Sequence, residues 1–335
     1  MNENQKLKIE AIHDPSRGWV CSLCGAVFKT KQAFLGHRSW HVIRMKQSSK
    51  TSNNNKNNNI SDVSPYIPKN IVYDDYNNLL PILLKCYEQK IFALIIGPKG
   101  VGKTTLVRKF AEVVGKPLYT VNFSLRTRES HLIGFTAIEN GNTKFAMGVI
   151  PKSMREGAIL YLDELNAAEA DVLIRLDEAL DDRRELNIKE AGELITVKAH
   201  PDWFVIATIN PLSHIGTKEL PPQLLSRFPA RIYLDYPPKD VELRIISHHV
   251  DGLSDLDVEE VSKAIDLANK LRDMARAEEI YYSPSLRETI TFAKLLKTGL
   301  KPKEVAEIVF ANAYWQWGEI AYRSVKNLII SFWGE

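Results

Sequence analysis

The sequence predicts an α/β body on a mostly parallel sheet, a helical bundle after it, and a small metal-stapled module before it. Three observations carry this. Short apolar runs alternate with longer helical patterns from about residue 71 to 238, the pattern turns helical throughout from residue 239, and two cysteines and two histidines stand at metal-ligand spacing near the start. With 335 residues, 44% hydrophobic and 25% charged, the chain has material for one large or two medium cores. The expected divisions are residues 1–45, 46–70, 71–238 and 239–335.

In the first division, Cys21-x2-Cys24 is followed after twelve residues by His37-x3-His41. This is the spacing of a ββα C2H2 zinc finger, in which Cys21, Cys24, His37 and His41 hold Zn²⁺. Phe28 and Phe34 fall at its core positions, and so small a module has too little apolar surface to fold without the metal. The helix positions that read bases hold Thr30, Ala33 and Gly36, none of which forks onto a base edge. Lys29, Lys31, Arg38 and Arg44 can still meet phosphate. Nonspecific nucleic-acid contact and protein docking therefore both stand as roles for the finger. QAFLGH is similar to the QALGGH helix of plant-type single zinc fingers, departing from it at Phe34 and Leu35.

Residues 46–70 are Asn-, Ser- and Lys-rich with few apolar side chains, which predicts a flexible, disordered linker. Residues 1–70 carry 11 Lys+Arg against 4 Asp+Glu, and the rest of the chain 33 against 37. The net charge of +3 thus belongs to the N-terminal arm, which suits an acidic partner there and gives the body no global case for nucleic acid. No apolar run approaches the roughly 20 residues of a membrane span, and MNENQKLKIE lacks a signal-peptide core. The expected location is the cytoplasm, with no membrane partner. Three cysteines exclude a disulfide framework, and Cys86 reads as a buried helix residue.

Candidate strands of the body are FALIIG, PLYTVNF, AILYLDE, WFVIATIN and RIYLDY. Two hairpins interrupt their order, one turning at Asn140-Gly141 and the other near Gly192. The first strand feeds Gly97, Pro98, Lys99, Gly100, Val101, Gly102, Lys103, Thr104 and Thr105, and TLVRKFAEVV continues as a helix. This is a P-loop: its backbone N–H groups wrap phosphates, Lys103 reaches the β/γ oxygens, and the Thr104 hydroxyl ligates Mg²⁺. In ILYLDEL, Asp163 ends an apolar strand where a carboxylate orients Mg²⁺, and Glu164 beside it polarises the attacking water. Together the two motifs describe an ATP-hydrolysing site.

The order of LIGFTAIENGNTKFAMGVIPKSMREGAILYLDELN, LDDRREL, AHPDWFVIATINP and LPPQLLSRFPARI resembles the AAA+ ATPases of the MoxR/CbbQ/NorQ group, related to dynein and midasin modules. The resemblance covers about residues 70–335. It implies an α/β P-loop NTPase of AAA+ type with a C-terminal helical lid, assembled as a homo-oligomeric ring, usually a hexamer, with ATP between protomers. It implies a client protein as substrate, often alongside a partner with a von Willebrand A domain. It assigns Asn210 as the first sensor, Arg227 as the arginine finger with Arg231 as rival, and Arg287 as the second sensor. It matches the hairpins to inserts that face the pore or the client. Arg183 and Arg184 read as a solvated helix end or an interface pair. Two functions follow: a motor that remodels a client protein with the finger for docking, or a DNA-associated ATPase of replication or helicase-loading type anchored by the finger and basic arm.

Overall fold

The computed structural model describes residues 11–14, 18–21, 27–28, 66–139, 142–189, 194–211 and 217–334, and the chain divides into two compact units, Met1–Asp62 and Val63–Glu335. In the first unit, strands β1 (Ala11–Asp14), β2 (Gly18–Cys21) and β3 (Val27–Phe28) form an antiparallel sheet in that order. Trp19 stands opposite Phe28 and Val20 opposite Val27, so Cys21 ends one arm of a hairpin. Strand β1 pairs with β2 although no apolar pattern announced it. Cys24, His37, His41 and the expected finger helix lie outside the described residues.

In the second unit, α1 (Leu79–Glu88) begins where the Asp75 carboxylate accepts the N–H groups of Leu79 at 2.8 Å and Leu80 at 3.0 Å. Then come β4 (Ala93–Ile96), α2 (Lys103–Val114), β5 (Leu118–Asn122) and the short α3 (Glu129–Leu132). Strands β6 (Gly134–Glu139) and β7 (Asn142–Met147) form the first hairpin, with Glu139 opposite Asn142; the turn between them lies outside the described residues. They are followed by α4 (Val149–Glu156), β8 (Ile159–Asp163), a 3-10 turn (Leu165–Ala167) and α5 (Ala170–Ala179). Strands β9 (Glu185–Ile188) and β10 (Ile195–Lys198) form the second hairpin. Last come β11 (Phe204–Ile209), α6 (Pro222–Ser226) and β12 (Ala230–Tyr233).

The five anticipated strands form one sheet in the order β12-β4-β11-β8-β5, and every pair in it is parallel. Parallel strands are covered on both faces, which explains why they read as continuous apolar runs; Ala93, Leu94 and Ile95, and Ile159 to Leu162, have no exposed surface. From β4 the chain crosses to the far edge at β5, steps back inward through β8 and β11, and ends at β12 on the other side of β4, so the ends of β4, β8 and β11 lie side by side at one edge of the sheet, where such sheets hold ligands.

Composition placed residues 66–70 in the linker, but they already belong to this unit. The Tyr66 carbonyl accepts the Leu118 N–H at 3.0 Å in an antiparallel bridge, and its hydroxyl accepts Arg108 Nε at 2.9 Å. The aromatic ring of Tyr66 gives this stretch a contact its polar neighbours cannot make.

The helical part has its own core. Helices α7 (Lys239–His249), α8 (Asp255–Arg276), α9 (Leu286–Leu296), α10 (Pro302–Val309) and α11 (Glu319–Trp333) pack around Leu271, Phe292 and Phe310. Reciprocal capping boxes start α8 at Ser254/Asp257 and α9 at Ser285/Glu288. The sequence read as one helical run from residue 302 onward, whereas a 3-10 turn (Ala311–Trp317) and Gly318 at φ 96° divide α10 from α11. Among the described residues, no helix is long and apolar enough to cross a membrane.

Candidate nucleotide-binding site

The glycine-rich turn from β4 to α2 is shaped by close approaches. A Cβ on Gly97 would stand 2.0 Å from the Leu234 carbonyl oxygen. Gly100 has φ 73°, and a Cβ there would meet the Ser285 side chain at 2.4 Å, so the turn lies directly against the N-cap of α9. Glycine is the residue that meets both demands.

Lys103 opens α2 and is 7% exposed. Its ammonium donates to the carbonyls of Gly97 at 2.6 Å and Pro98 at 2.8 Å and to Asn210 Oδ1 at 2.8 Å. Burial draws its pKa down from 10.5 to about 8, against the opposing pull of Asp163 and Glu164. The Lys103–Asn210 bond crosses from the start of α2 to the end of β11, joining residues from two separate motifs.

At the end of β8, Asp163 Oδ1 accepts both the Tyr161 hydroxyl and the Thr208 hydroxyl at 2.7 Å. Tyr161 also stands 3.1 Å from the Thr104 hydroxyl. Burial, with Asp163 beside it, raises the Tyr161 pKa, so this phenol stays a protonated donor. Glu164 follows with left-handed backbone, φ 54° and ψ 42°, and its N–H donates to Thr208 Oγ at 3.2 Å. Asn166, 2% exposed, grips the Asn210 backbone: its Nδ2 donates to the Asn210 carbonyl at 2.8 Å, and its Oδ1 accepts the Asn210 N–H at 3.3 Å.

A cavity of about 700 Å³ opens here, lined by Lys99 to Thr105, Asp163, Glu164, Asn210 and Arg287. Gly97 and Pro98 take part through the carbonyls that hold Lys103. Segment 72–76 and helices α7 and α9 supply the remaining walls. Arg287, on the first turn of α9, is thus brought to the P-loop from 184 positions away in the chain. The cavity suits a magnesium triphosphate by its chemistry: a buried ammonium and a glycine-rich turn face phosphate, and the Thr104 hydroxyl and Asp163 carboxylate are oxygen donors that share Tyr161 as a partner.

Arg227 and Arg231 do not line this cavity. Arg227, at the end of α6, donates from Nε to Asp177 at 2.8 Å and from Nη1 to Asp181 at 3.3 Å. It borders a second cavity, of about 420 Å³. Arg231 Nη2 donates to the Leu225 carbonyl at 3.1 Å. Arg183 is solvent-exposed in the single chain and paired with Asp181. Arg184 departs from the solvated reading: its guanidinium donates to the Lys90 carbonyl at 2.6 Å and stands over the Phe92 ring. Cys86 is half-buried in α1, and burial raises its thiol pKa.

Tyr161, Thr208 and Asn166 had no assigned role in the sequence reading. Each left one signal, a polar side chain within or just after an apolar strand run.

This sheet order, with a P-loop on its first strand and a carboxylate pair ending the strand next but one, defines an AAA-type P-loop nucleotide-binding fold. A family model described as AAA domain (dynein-related subfamily) matches residues 93–228. NorQ of Paracoccus denitrificans is 31% identical over 257 residues, spanning 77% of this chain and 88% of that protein. The denitrification regulatory protein NirQ of Stutzerimonas stutzeri is 30% identical over 69% of this chain and 82% of its own length. CbbQ of Hydrogenophilus thermoluteolus is 29% identical over 70% and 80%. The chain belongs to the dynein-related AAA family, in the group that includes NorQ, NirQ and CbbQ.

Proposed function

We propose that the chain hydrolyses ATP to ADP and phosphate at sites completed between protomers of a ring, and that this cycle remodels or activates a client protein. The observation that carries this reading is that Lys103, Asp163, Glu164, Asn210 and Arg287 face one cavity while Arg227 stands outside it. A site with all of its own residues but no arginine finger invites one from a neighbour.

In this reading Lys103 leaves its carbonyl partners for the β/γ oxygens, and Thr104 and Asp163 hold Mg²⁺, which neutralises phosphate charge when bound. Glu164 orients the attacking water and accepts its proton as the bond to the γ-phosphorus forms and the bond to the ADP oxygen breaks. Asn210 directs its amide at the same water or the γ-phosphate. Arg287 brings the lid's charge to the phosphates, and a neighbour's Arg227, released from Asp177 and Asp181, stabilises the transferring group.

A hexamer, a von Willebrand A-type partner and a cytoplasmic location come from the family resemblance and are part of the proposal. So is a docking role for the N-terminal module, with Zn²⁺ on Cys21, Cys24, His37 and His41. NirQ is named a denitrification regulatory protein, and a regulatory action on another protein is carried over to this chain as part of the proposal.

The test is capture on Glu164→Gln protein loaded with ATP, with and without nuclease, read by mass spectrometry and by phosphate release. ATP binding is expected to persist while hydrolysis falls by about 10²–10⁴-fold, and a nuclease-resistant protein partner is expected in the captured material. Unchanged phosphate release would remove Glu164 from the mechanism. Recovery mainly of nucleic acid, or of partners that vanish with nuclease, would replace the remodelling reading with the DNA-associated one.

A further inference from the structure

Strands β8 and β11 run in parallel register through Leu162 and Ala207. Then they part. Strand β8 ends at Asp163, and the left-handed turn at Glu164 carries the chain away into the 3-10 turn. Strand β11 continues, and Asn210 arrives at the cavity where β8 no longer offers a backbone to pair with. A buried peptide group without a partner is destabilising, so something must replace the lost strand.

The replacement is the primary amide of Asn166. It carries one donor face and one acceptor face in the manner of a peptide unit, and it meets the Asn210 carbonyl and N–H with both. The backbone carbonyl of Asn166 accepts the Lys218 N–H at 2.9 Å, which ties in the segment after β11. Leucine would offer neither face, and aspartate would lack the donor. The Asn210 side chain that this clamp leaves facing the cavity is the one that accepts Lys103 Nζ at 2.8 Å.

We propose that Asn166 is a positioning residue for ATP hydrolysis, acting through Asn210: it holds the Asn210 backbone and locks its placement to that of Glu164, two positions earlier in the same turn. This rests on the ATPase reading above. Asn166 does not itself line the cavity and reaches it only through the Asn210 backbone. Its loss therefore falls on the chemical step and not on nucleotide affinity.

The experiment is a double-mutant cycle on the full chain with Asn166→Ala, Asn210→Ala and the double variant, reading kcat and the dissociation constant of a fluorescent ATP analogue. Asn166→Ala is expected to lower kcat by up to about 10²-fold, with the dissociation constant within about threefold. In the Asn210→Ala background the same change is expected to have less than about a twofold further effect, since residues acting as one unit are not additive. A merely structural Asn166 would give losses that add. Asn166→Asp, which keeps the shape and lacks the donor, serves if the alanine variant does not fold and is expected to show the same split.

Hydrogen–deuterium exchange provides a readout independent of turnover: the Asn210 amide is expected to exchange faster in Asn166→Ala, which removes its acceptor, with β4 unchanged. Additive losses, an unchanged kcat, or an unchanged Asn210 exchange rate would each overturn the proposal. Wild-type protein that does not hydrolyse ATP would overturn the ATPase reading and, with it, the positioning role of Asn166 in turnover, while the exchange rate would still decide whether the clamp exists.

Discussion

Lys103 is the residue whose environment most directly sets the response to pH. With its ammonium drawn down to about 8 by burial, it is charged at pH 7 and mostly neutral at pH 9. A triphosphate binds the charged form, so binding takes up a proton above pH 8 and weakens as pH rises. The dissociation constant of an ATP analogue is expected to be about tenfold larger at pH 9 than at pH 7, and Lys103→Arg is expected to flatten the profile. Folding responds with the opposite sign. The unfolded chain keeps this proton up to 10.5, so between about 8 and 10.5 it binds more protons than the folded chain, and Lys103 makes stability rise with pH. The motif fixes which lysine faces phosphate, because glycine spacing and the following helix are local. That its Nζ meets Asn210, 107 positions away, follows from strand order, and a linear pattern of apolar residues does not encode which strand lies beside which. Tyr161 and Thr208 escaped notice for the same reason, since their common partner Asp163 is shared only once β8 and β11 are side by side.

At the scale of elements, three helices of the C-terminal bundle meet at one buried ion pair. Arg272 of α8 is 2% exposed and forks onto Glu242 of α7 at 2.7 and 3.0 Å. Thr289 of α9 donates to the same carboxylate at 2.7 Å, and Arg272 Nε donates to the Pro284 carbonyl at 2.9 Å. The guanidinium also lies 4.1 Å from the Tyr236 ring centre, and the Tyr236 hydroxyl donates to the Lys99 carbonyl of the P-loop at 3.1 Å. Glu242→Ala is expected to cost about 3–5 kcal/mol in denaturant unfolding, because it leaves a guanidinium buried without its counter-charge. Replacing both partners, Glu242→Leu with Arg272→Met, is expected to recover most of that loss. The elements themselves were largely legible. Fully buried parallel strands show as unbroken apolar runs, and Asn140-Gly141 marks its hairpin. The break at Gly318 was not, because aromatic residues on both sides keep an apolar spacing through the 3-10 turn. The buried pair was not legible either, since Glu242 and Arg272 look like two more charges on amphipathic helices until the helices pack.

At the scale of the whole molecule, the proposed ring makes catalysis a property of the assembly, because Arg227 stands outside the cavity of its own protomer. Glu164→Gln and Arg227→Ala proteins are each expected to be nearly inactive. When they are mixed, phosphate release is expected to rise above either alone, because the first supplies an intact Arg227 to a neighbour whose Glu164 is intact. No recovery on mixing would place the whole reaction within one protomer. A last consequence comes from the Tyr66–Leu118 bridge. Strand β5 is one of the sheet's two edge strands, and its outer side is the kind of surface onto which a foreign strand can add. Tyr66, at the start of the same unit, occupies part of that side, so the chain guards its own sheet against templated self-association. A protein starting at residue 63 is expected to stay monodisperse at low concentration, whereas one starting at residue 72 is expected to scatter light increasingly with time. Equal scattering from the two would show that the edge is protected by other means.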